Sequence, residues 1–286
     1  MRRPNWPLGY PTLTQGNLLQ RPNCEPMPGL KHLIGAERPT IGSWIQLGDE
    51  SLVEILARGP FDWLCIDLEH TTISIEQCGR IIRVADLAGC PTLVRLSGHD
   101  PSEIKKVLDA GAAGIIAPMV NTASQAEAIV SAATYPPIGS RGVGLARAQE
   151  YGLGFPEYLK RIEHDLVCIM QVEHVEGVDN LDEILAVDGV DGFFIGPYDL
   201  SASLGYPGQF DHPSVIAALD RVRKVVARPD VLAGIHVVDP DEAKLQEAID
   251  DGYRFVAFAS DMLFFAHRIK DVASKIENLR DRSSPA

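Results

Sequence analysis

Two patterns of apolar and polar positions alternate along the chain from Thr40 onward. Short runs rich in Ile, Val, Leu and Phe, apolar on both faces, predict buried strands over 41–46, 63–67, 92–95, 114–118, 166–172, 192–195, 232–237 and 254–258. Longer amphipathic segments between them predict helices over 50–58, 75–88, 101–110, 123–134, 178–187, 213–226, 240–250 and 261–276. Caps support several of these starts: Asp100 and Asp239 each precede a proline, and Thr122 precedes Ala123. Strands apolar on both faces, each followed by a helix, imply a parallel sheet covered by helices. Eight such units imply closure, so the expected architecture is a single-domain (β/α)8 TIM barrel. An open doubly wound sheet would want a Gly-rich fingerprint after its first strand, and the chain there reads Leu47-Gly48-Asp49-Glu50-Ser51.

The pattern is silent before residue 35, where six prolines (Pro4, Pro7, Pro11, Pro22, Pro26, Pro28) interrupt any period. Residues 1–35 are therefore expected to be an arm outside a barrel domain of residues 36–286. That division fits a chain of 286 residues, because a barrel takes about 250. Charge narrows the partners: 26 Lys and Arg against 39 Asp and Glu give −13, which argues against general nucleic-acid or membrane-surface binding. The five cysteines (Cys24, Cys65, Cys78, Cys90, Cys168) include no C-x-x-C pair. Cys65 and Cys168 sit in apolar runs and read as core residues of a protein in a reducing compartment, with the cytoplasm as the expected location.

A barrel builds its site where strands end, and those positions are unusually polar: Gln46; Asp67, Glu69 and His70; Arg95; Gln171 and Glu173; Asp199; His236; Ser260 and Asp261. Glu173 and Asp199 follow the fifth and sixth strands, neighbours in a barrel, so both carboxylates can converge on a hard divalent cation; salt-bridging or capping acids would look the same. Asp67 and His70 have the spacing of a carboxylate that orients an imidazole base. Arg95 ends an apolar run and should point into the mouth, either to steady developing negative charge or to pair with a strand-end acid. His236 is a weaker candidate, and His174 is expected to be structural. The run Gly139-Ser140-Arg141-Gly142-Val143-Gly144 reads as an irregular turn. No lysine lies at a strand end, which disfavours an imine mechanism, and no G-x-S-x-G elbow occurs.

With these residues assembled, the chain resembles the HpcH/HpaI aldolase family, metal-dependent pyruvate aldolases of the phosphoenolpyruvate/pyruvate barrel superfamily. The resemblance runs from about Gly42 to Arg268. It is carried by Phe61-Asp62-Trp63-Leu64-Cys65-Ile66-Asp67-Leu68-Glu69-His70, Val94-Arg95, Ala117-Pro118-Met119-Val120-Asn121-Thr122, Arg141-Gly142-Val143-Gly144, Gln171-Val172-Glu173 and Phe194-Ile195-Gly196-Pro197-Tyr198-Asp199-Leu200-Ser201. The resemblance implies reversible cleavage of a 4-hydroxy-2-oxoacid to an aldehyde and pyruvate, by way of an enolate on Mg²⁺ or Mn²⁺, with Co²⁺ also possible. It implies that Glu173 and Asp199 hold the metal, that His70 and Asp67 form the base dyad, and that Arg95 steadies the enolate. Gln171, Gly196, Pro197, Tyr198 and Asp199 would line the substrate. By spacing from Arg95, Asp109 would be the acid that reaches the site of an adjacent subunit, in a homo-oligomer of the trimer-of-dimers hexamer kind. Two departures stand out: the proline-rich arm has no counterpart in the family core, and Tyr198 is bulkier than residues that also occur there. Three alternatives remain: an oxaloacetate-type decarboxylase; an acyl-CoA lyase, for which Arg141 and Arg147 are the available phosphate ligands; and a non-catalytic barrel.

Overall fold

Eight parallel strands close on themselves in chain order, β1 (Thr40–Ile45), β2 (Trp63–Asp67), β3 (Thr92–Arg95), β4 (Gly114–Ala117), β5 (Val167–Val172), β6 (Gly192–Ile195), β7 (Ala233–Val237) and β8 (Phe255–Ser260), with β8 returning to β1. This computed structural model describes residues 29–35 and 38–283. The helices are α1 (Leu30–Ile34), α2 (Glu50–Ala57), α3 (Ile75–Leu87), α4 (Pro101–Ala110), α5 (Ala123–Ala133), α6 (Phe155–Asp165), α7 (Val175–Asp179), α8 (Leu181–Leu185), α9 (Pro197–Ser203), α10 (Pro213–Val226), α11 (Glu242–Asp250) and α12 (Asp261–Ser283). The expected (β/α)8 barrel is the observed fold.

Two apolar layers hold it. Inside the barrel, Trp44, Trp63, Cys65, Leu93, Ile116, Val167, Ile169, Phe194, Leu232 and Phe255 pack on one another. Trp63 stacks on Phe255 at 4.3 Å between ring centres. Gly42 is obligatory beside them, because a Cβ there would sit 2.1 Å from the Trp63 ring. The outer layer lies between the sheet and the helices and is built from the apolar stripes that the periodicity marks, such as Cys78, Ile81, Ile82 and Ala85 of α3.

Local chemistry sets most element starts. Asp100 accepts the N–H of Ser102 ahead of Pro101 in α4, and Thr122 with Gln125 forms a capping box on α5. The α11 start differs from expectation. Asp241 is the cap, and Asp239 instead pairs with Lys244. The single helix expected over 178–187 is two short ones meeting at Asn180. Three helices were not expected: α1, α6 and the short α9.

The arm boundary also shifts. α1 lies inside the stretch assigned to the arm, yet Leu30 and Ile34 are buried in the inner layer. Lys31 fastens the helix to the strand N-termini, pairing with Asp191 at 2.8 Å and donating to the Leu166 carbonyl. A barrel floor without such a cover would leave its lowest apolar side chains in water, and Leu30 and Ile34 provide that cover. Residues 1–28, including Cys24, are outside the described residues. The remaining four cysteines are buried free thiols, as expected for Cys65 and Cys168.

Candidate active site

Every strand points its C-terminal end to one mouth, so the side chains just beyond each strand share it. Asp67 and Arg95 are register partners at the ends of β2 and β3. Arg95 grips the Asp67 carboxylate with two hydrogen bonds, Nε to Oδ1 at 2.9 Å and Nη2 to Oδ2 at 2.6 Å. The Gln46 amide donates to the same Oδ2 at 3.1 Å. Burial by itself would raise the Asp67 pKa, but the hydrogen bonds and charge of Arg95 override it and hold the carboxyl below its ordinary value. The guanidinium lies 4.4 Å over the Trp44 ring and 3.3 Å from Glu69 Oε2, so its plane is fixed on both sides.

Glu173 and Asp199 do converge. Oxygens of both surround the space above Gly196, where a Cβ would sit 2.8 Å from Glu173 Oε2 and 3.7 Å from Asp199 Oδ2. Glycine at this position keeps that space open. Glu173 Oε1 accepts the N–H of Met119 at 2.8 Å, and Met119 adopts φ +52°, a left-handed conformation unusual outside glycine. The Gln171 amide donates to Glu173 Oε2 at 2.5 Å. Burial pushes Glu173 above its ordinary pKa, with the Asp199 charge adding to it and the two hydrogen bonds opposing. Glu69 is pushed up to about 7, by burial first, with the charges of Glu173, Asp67 and Asp199 adding to it and Arg95 opposing.

Three of the five buried polar side-chain atoms without a hydrogen-bond partner among the described residues belong to this mouth: Trp44 Nε1, Glu69 Oε2, whose contact with Arg95 is an ion pair, and Gln171 Oε1. Unsatisfied buried groups cost stability, and their concentration here marks a site built for a ligand. A cavity of about 130 Å³ opens beside them, lined by Arg95, Gln171, Gly196, Tyr198, Asp199 and His236 among others. No lysine lines it.

The donor set fits a hard divalent cation. Two carboxylates and the orphaned Gln171 carbonyl are all oxygen, and burial, with the neighbouring carboxylates adding to it, raises Glu173 and Glu69 despite the charge of Arg95. No group of three His, Cys, Asp or Glu side chains among the described residues forms a complete cage. Among the described residues Glu173 and Asp199 are the two carboxylates around Gly196 that could hold such a cation.

Other expected site residues are placed differently. The Asp67–His70 dyad does not form. Asp67 Oδ1 accepts the backbone N–H groups of Glu69 and His70, at 3.1 and 3.2 Å, and the imidazole itself is 61% exposed. The Asp67 oxygens are occupied by a charged donor that a neutral imidazole cannot displace. The nearest acid to the His70 ring is Glu69, with Oε2 3.8 Å from Nε2. Asp109 lies near the C-terminal end of α4, toward the strand N-termini of its own barrel, and pairs with the buried Arg141 at 2.6 Å. Arg147 pairs with Asp86. With both arginines occupied at that far end, the phosphate site expected of an acyl-CoA lyase is not formed by them. Tyr198 stands on the rim, 60% exposed, edge-on to Phe210 at 5.0 Å. Pro197 opens α9, and Asp199 occupies its first turn. His174 caps α7, a structural role as expected. Asp261 holds the N–H groups of Gln46 and Leu47.

Residues 40–268 match the HpcH/HpaI aldolase/citrate lyase family. The chain belongs to that family. Among its relatives, the hydroxypyruvate/pyruvate aldolase of Roseobacter denitrificans is 38% identical over 251 residues, covering 87% of this chain and 97% of the relative. The 2-keto-3-deoxy-L-rhamnonate aldolase of Escherichia coli is 41% identical over 229 residues, covering 79% and 84%. The crystal structure of a family protein from Burkholderia cenocepacia superposes with a TM-score of 0.81 at 32% identity, covering 87% of this chain and 98% of that one. This HpcH/HpaI-family chain is thus an enzyme of a family whose relatives include named aldolases.

Sequence reasoning placed Glu69 at the mouth but gave it no task, and passed over Trp44 and Met119. Glu69 carried a usable signal, a second carboxylate two residues beyond Asp67 beside Arg95. Met119 carried none, because its contribution is a backbone N–H aimed by an unusual φ.

Proposed function

We propose that this enzyme is a divalent-cation-dependent, class II aldolase that reversibly cleaves a 4-hydroxy-2-oxoacid to pyruvate and an aldehyde. The observation that carries it is the pair Glu173 and Asp199 around Gly196, next to a fixed Arg95 and a small cavity. A bound Mg²⁺, Mn²⁺ or Co²⁺ would be held by Glu173 and Asp199 and would supply Lewis-acid polarisation of the oxoacid oxygens. Arg95, held in one orientation by Asp67 and Trp44, donates to the oxygen on which enolate charge develops. Gln171 and the backbone of Gly196, Pro197 and Asp199 bind the carboxylate end, and Tyr198 shapes the entry for the aldehyde portion. His70, with Glu69 as its neighbouring carboxylate, takes the C4 hydroxyl proton. The C3–C4 electron pair passes to the pyruvate enolate, whose C3 is then protonated. In the reverse direction pyruvate adds to an aldehyde.

Purified protein supplied with Mg²⁺ or Mn²⁺ is expected to release pyruvate from a 4-hydroxy-2-oxoacid, read by coupling to lactate dehydrogenase. Parallel reactions with oxaloacetate separate the decarboxylase alternative: pyruvate from oxaloacetate and from no hydroxy-oxoacid would overturn the aldolase assignment.

We also propose a homo-oligomer, of the trimer-of-dimers kind, in the cytoplasm. Phe265, Ile269 and Ile276 are exposed along α12 at helical spacing, an apolar surface suited to a second copy of the chain. In such an assembly Asp109, remote from its own mouth and paired with Arg141, would be the acid that serves a neighbour. Free buried thiols fit a reducing compartment, and no helix among the described residues is long and apolar enough to cross a membrane. Replacing both Phe265 and Ile269 by lysine is expected to reduce the mass found by light scattering; an unchanged mass would remove α12 from the interface.

A further inference from the structure

His236 has no task in the reaction as described, yet it lines the cavity beside Arg95, Gln171 and Asp199. Its ring is held on two sides. Nε2 lies 3.1 Å from the Ala259 carbonyl, and Trp44 stands edge-on at 5.7 Å. Ala259 adopts φ +50°, next to the register shift where β8 meets β1, so the carbonyl is aimed by an unusual backbone conformation. A carbonyl can only accept, which places the imidazole proton on Nε2. The ring is neutral at physiological pH, because burial pushes its pKa down to about 4, with the Arg95 charge adding to it and the Ala259 hydrogen bond opposing. Nδ1 is therefore a bare lone pair. It has no hydrogen-bond partner among the described residues, and it is absent from the polar atoms that are both unpartnered and sealed from solvent.

We propose that His236 accepts a hydrogen bond from an uncharged hydroxyl group of the substrate and thereby sets this chain's preference for hydroxylated over unsubstituted substrates. The lone pair repels carboxylate and keto oxygens, which are acceptors themselves, so neither end of pyruvate satisfies it. An aliphatic side chain would fill the same wall with no polar atom to satisfy, and the imidazole is worth its desolvation when a donor reaches it. The inference rests on the aldolase reading. The hydroxyl has two chemical sources, the 3-position of the oxoacid donor or the 2-position of the aldehyde.

Two arms of one experiment separate these sources, using the Mg²⁺-loaded protein. In the first, pyruvate is added to glycolaldehyde or to acetaldehyde; in the second, hydroxypyruvate or pyruvate is added to acetaldehyde. His236→Leu is expected to lower the kcat/KM ratio of hydroxylated to plain substrate by about tenfold in the arm that carries the contact. His236→Asn, whose amide oxygen is again an acceptor, should recover part of that ratio, and it substitutes for the leucine variant should that one not fold. Ratios that stay unchanged in both arms, with overall rates lowered together, would mean a packing role and overturn the proposal. A second readout does not depend on turnover: the nitrogen-15 resonance of His236 Nδ1 should shift on adding glycolaldehyde or hydroxypyruvate and stay fixed on adding acetaldehyde or pyruvate. If the wild-type protein turns over none of these pairs, the aldolase reading fails, and the resonance alone decides the role of His236.

Discussion

Arg95→Ala is expected to lower kcat on the order of 100-fold or more, the usual cost of removing a preorganised donor to a developing oxyanion. The same change should destabilise the fold by about 3–5 kcal/mol, because Asp67 has no exposed surface and would be left as an uncompensated buried charge. These two effects are separable by pH. In the wild type the Asp67 carboxyl titrates below its ordinary value, so its contribution is present above about pH 4 and is lost as pH falls through the lower folded value. Without Arg95, burial raises that carboxyl instead. Its contribution is then fullest below about pH 4 and declines as pH rises. Urea unfolding of the variant at a series of pH values should show that reversed slope. Arg95→Lys keeps the charge, loses the two-pronged grip, and should fall between the two in both rate and stability. Wild-type turnover in Arg95→Ala would remove the assigned role, and wild-type stability would contradict the geometry.

The second large effect concerns Glu173. Glu173→Gln is expected to cost several kcal/mol of transition-state stabilisation, on the order of a thousandfold in rate, by weakening the hold on the cation. A thermal measurement tests this without any turnover. In the cation-free wild type, burial and mutual repulsion raise both Glu173 and Glu69, the latter to about 7. Raised acids stabilise the fold least at high pH, so the free protein should lose stability as pH rises from about 4.5 through 7. Mg²⁺ or Mn²⁺ replaces the protons with a counter-charge and should raise the melting temperature, by roughly 5–10 °C at about 100 times the dissociation constant. The rise should be larger at pH 8 than at pH 5, since at the lower pH the cation must displace protons. Glu173→Gln should melt higher than the wild type in chelator and gain little from the cation. Full activity after exhaustive chelation would overturn the metal dependence.

Much of the molecule was legible in the chain itself, and the exceptions have a common cause. The strands ending at Asp67, Arg95, Val172, Ile195 and Val237 follow from runs of apolar residues bounded by polar ones. Their order around the barrel follows from the right-handed crossover of each strand–helix–strand unit. That Glu173 and Asp199 meet was therefore foreseeable, since consecutive strands in a barrel are neighbours. α9 was missed because a seven-residue segment is too short to show a period, and α6 because it lacks a side-chain cap and follows an irregular stretch with positive φ at Glu150, Tyr151 and Gly152. α1 was missed because it has one turn of its own and is stable only against the barrel floor.

What the sequence by itself determined was the closed eight-unit barrel and the set of polar residues brought to its mouth. Only the tertiary structure decided which of those residues hold one another. Asp67 could have turned to His70, three positions away, but β2–β3 register sets it beside a guanidinium that outcompetes an imidazole for the same oxygens. Likewise the unusual φ of Met119 aims a backbone N–H at Glu173, and the Ala259 carbonyl leaves one nitrogen of His236 bare. Periodicity is a property of residues a few positions apart and survives in the sequence. The partner of a buried charge is chosen by competition among groups that meet only when the barrel closes.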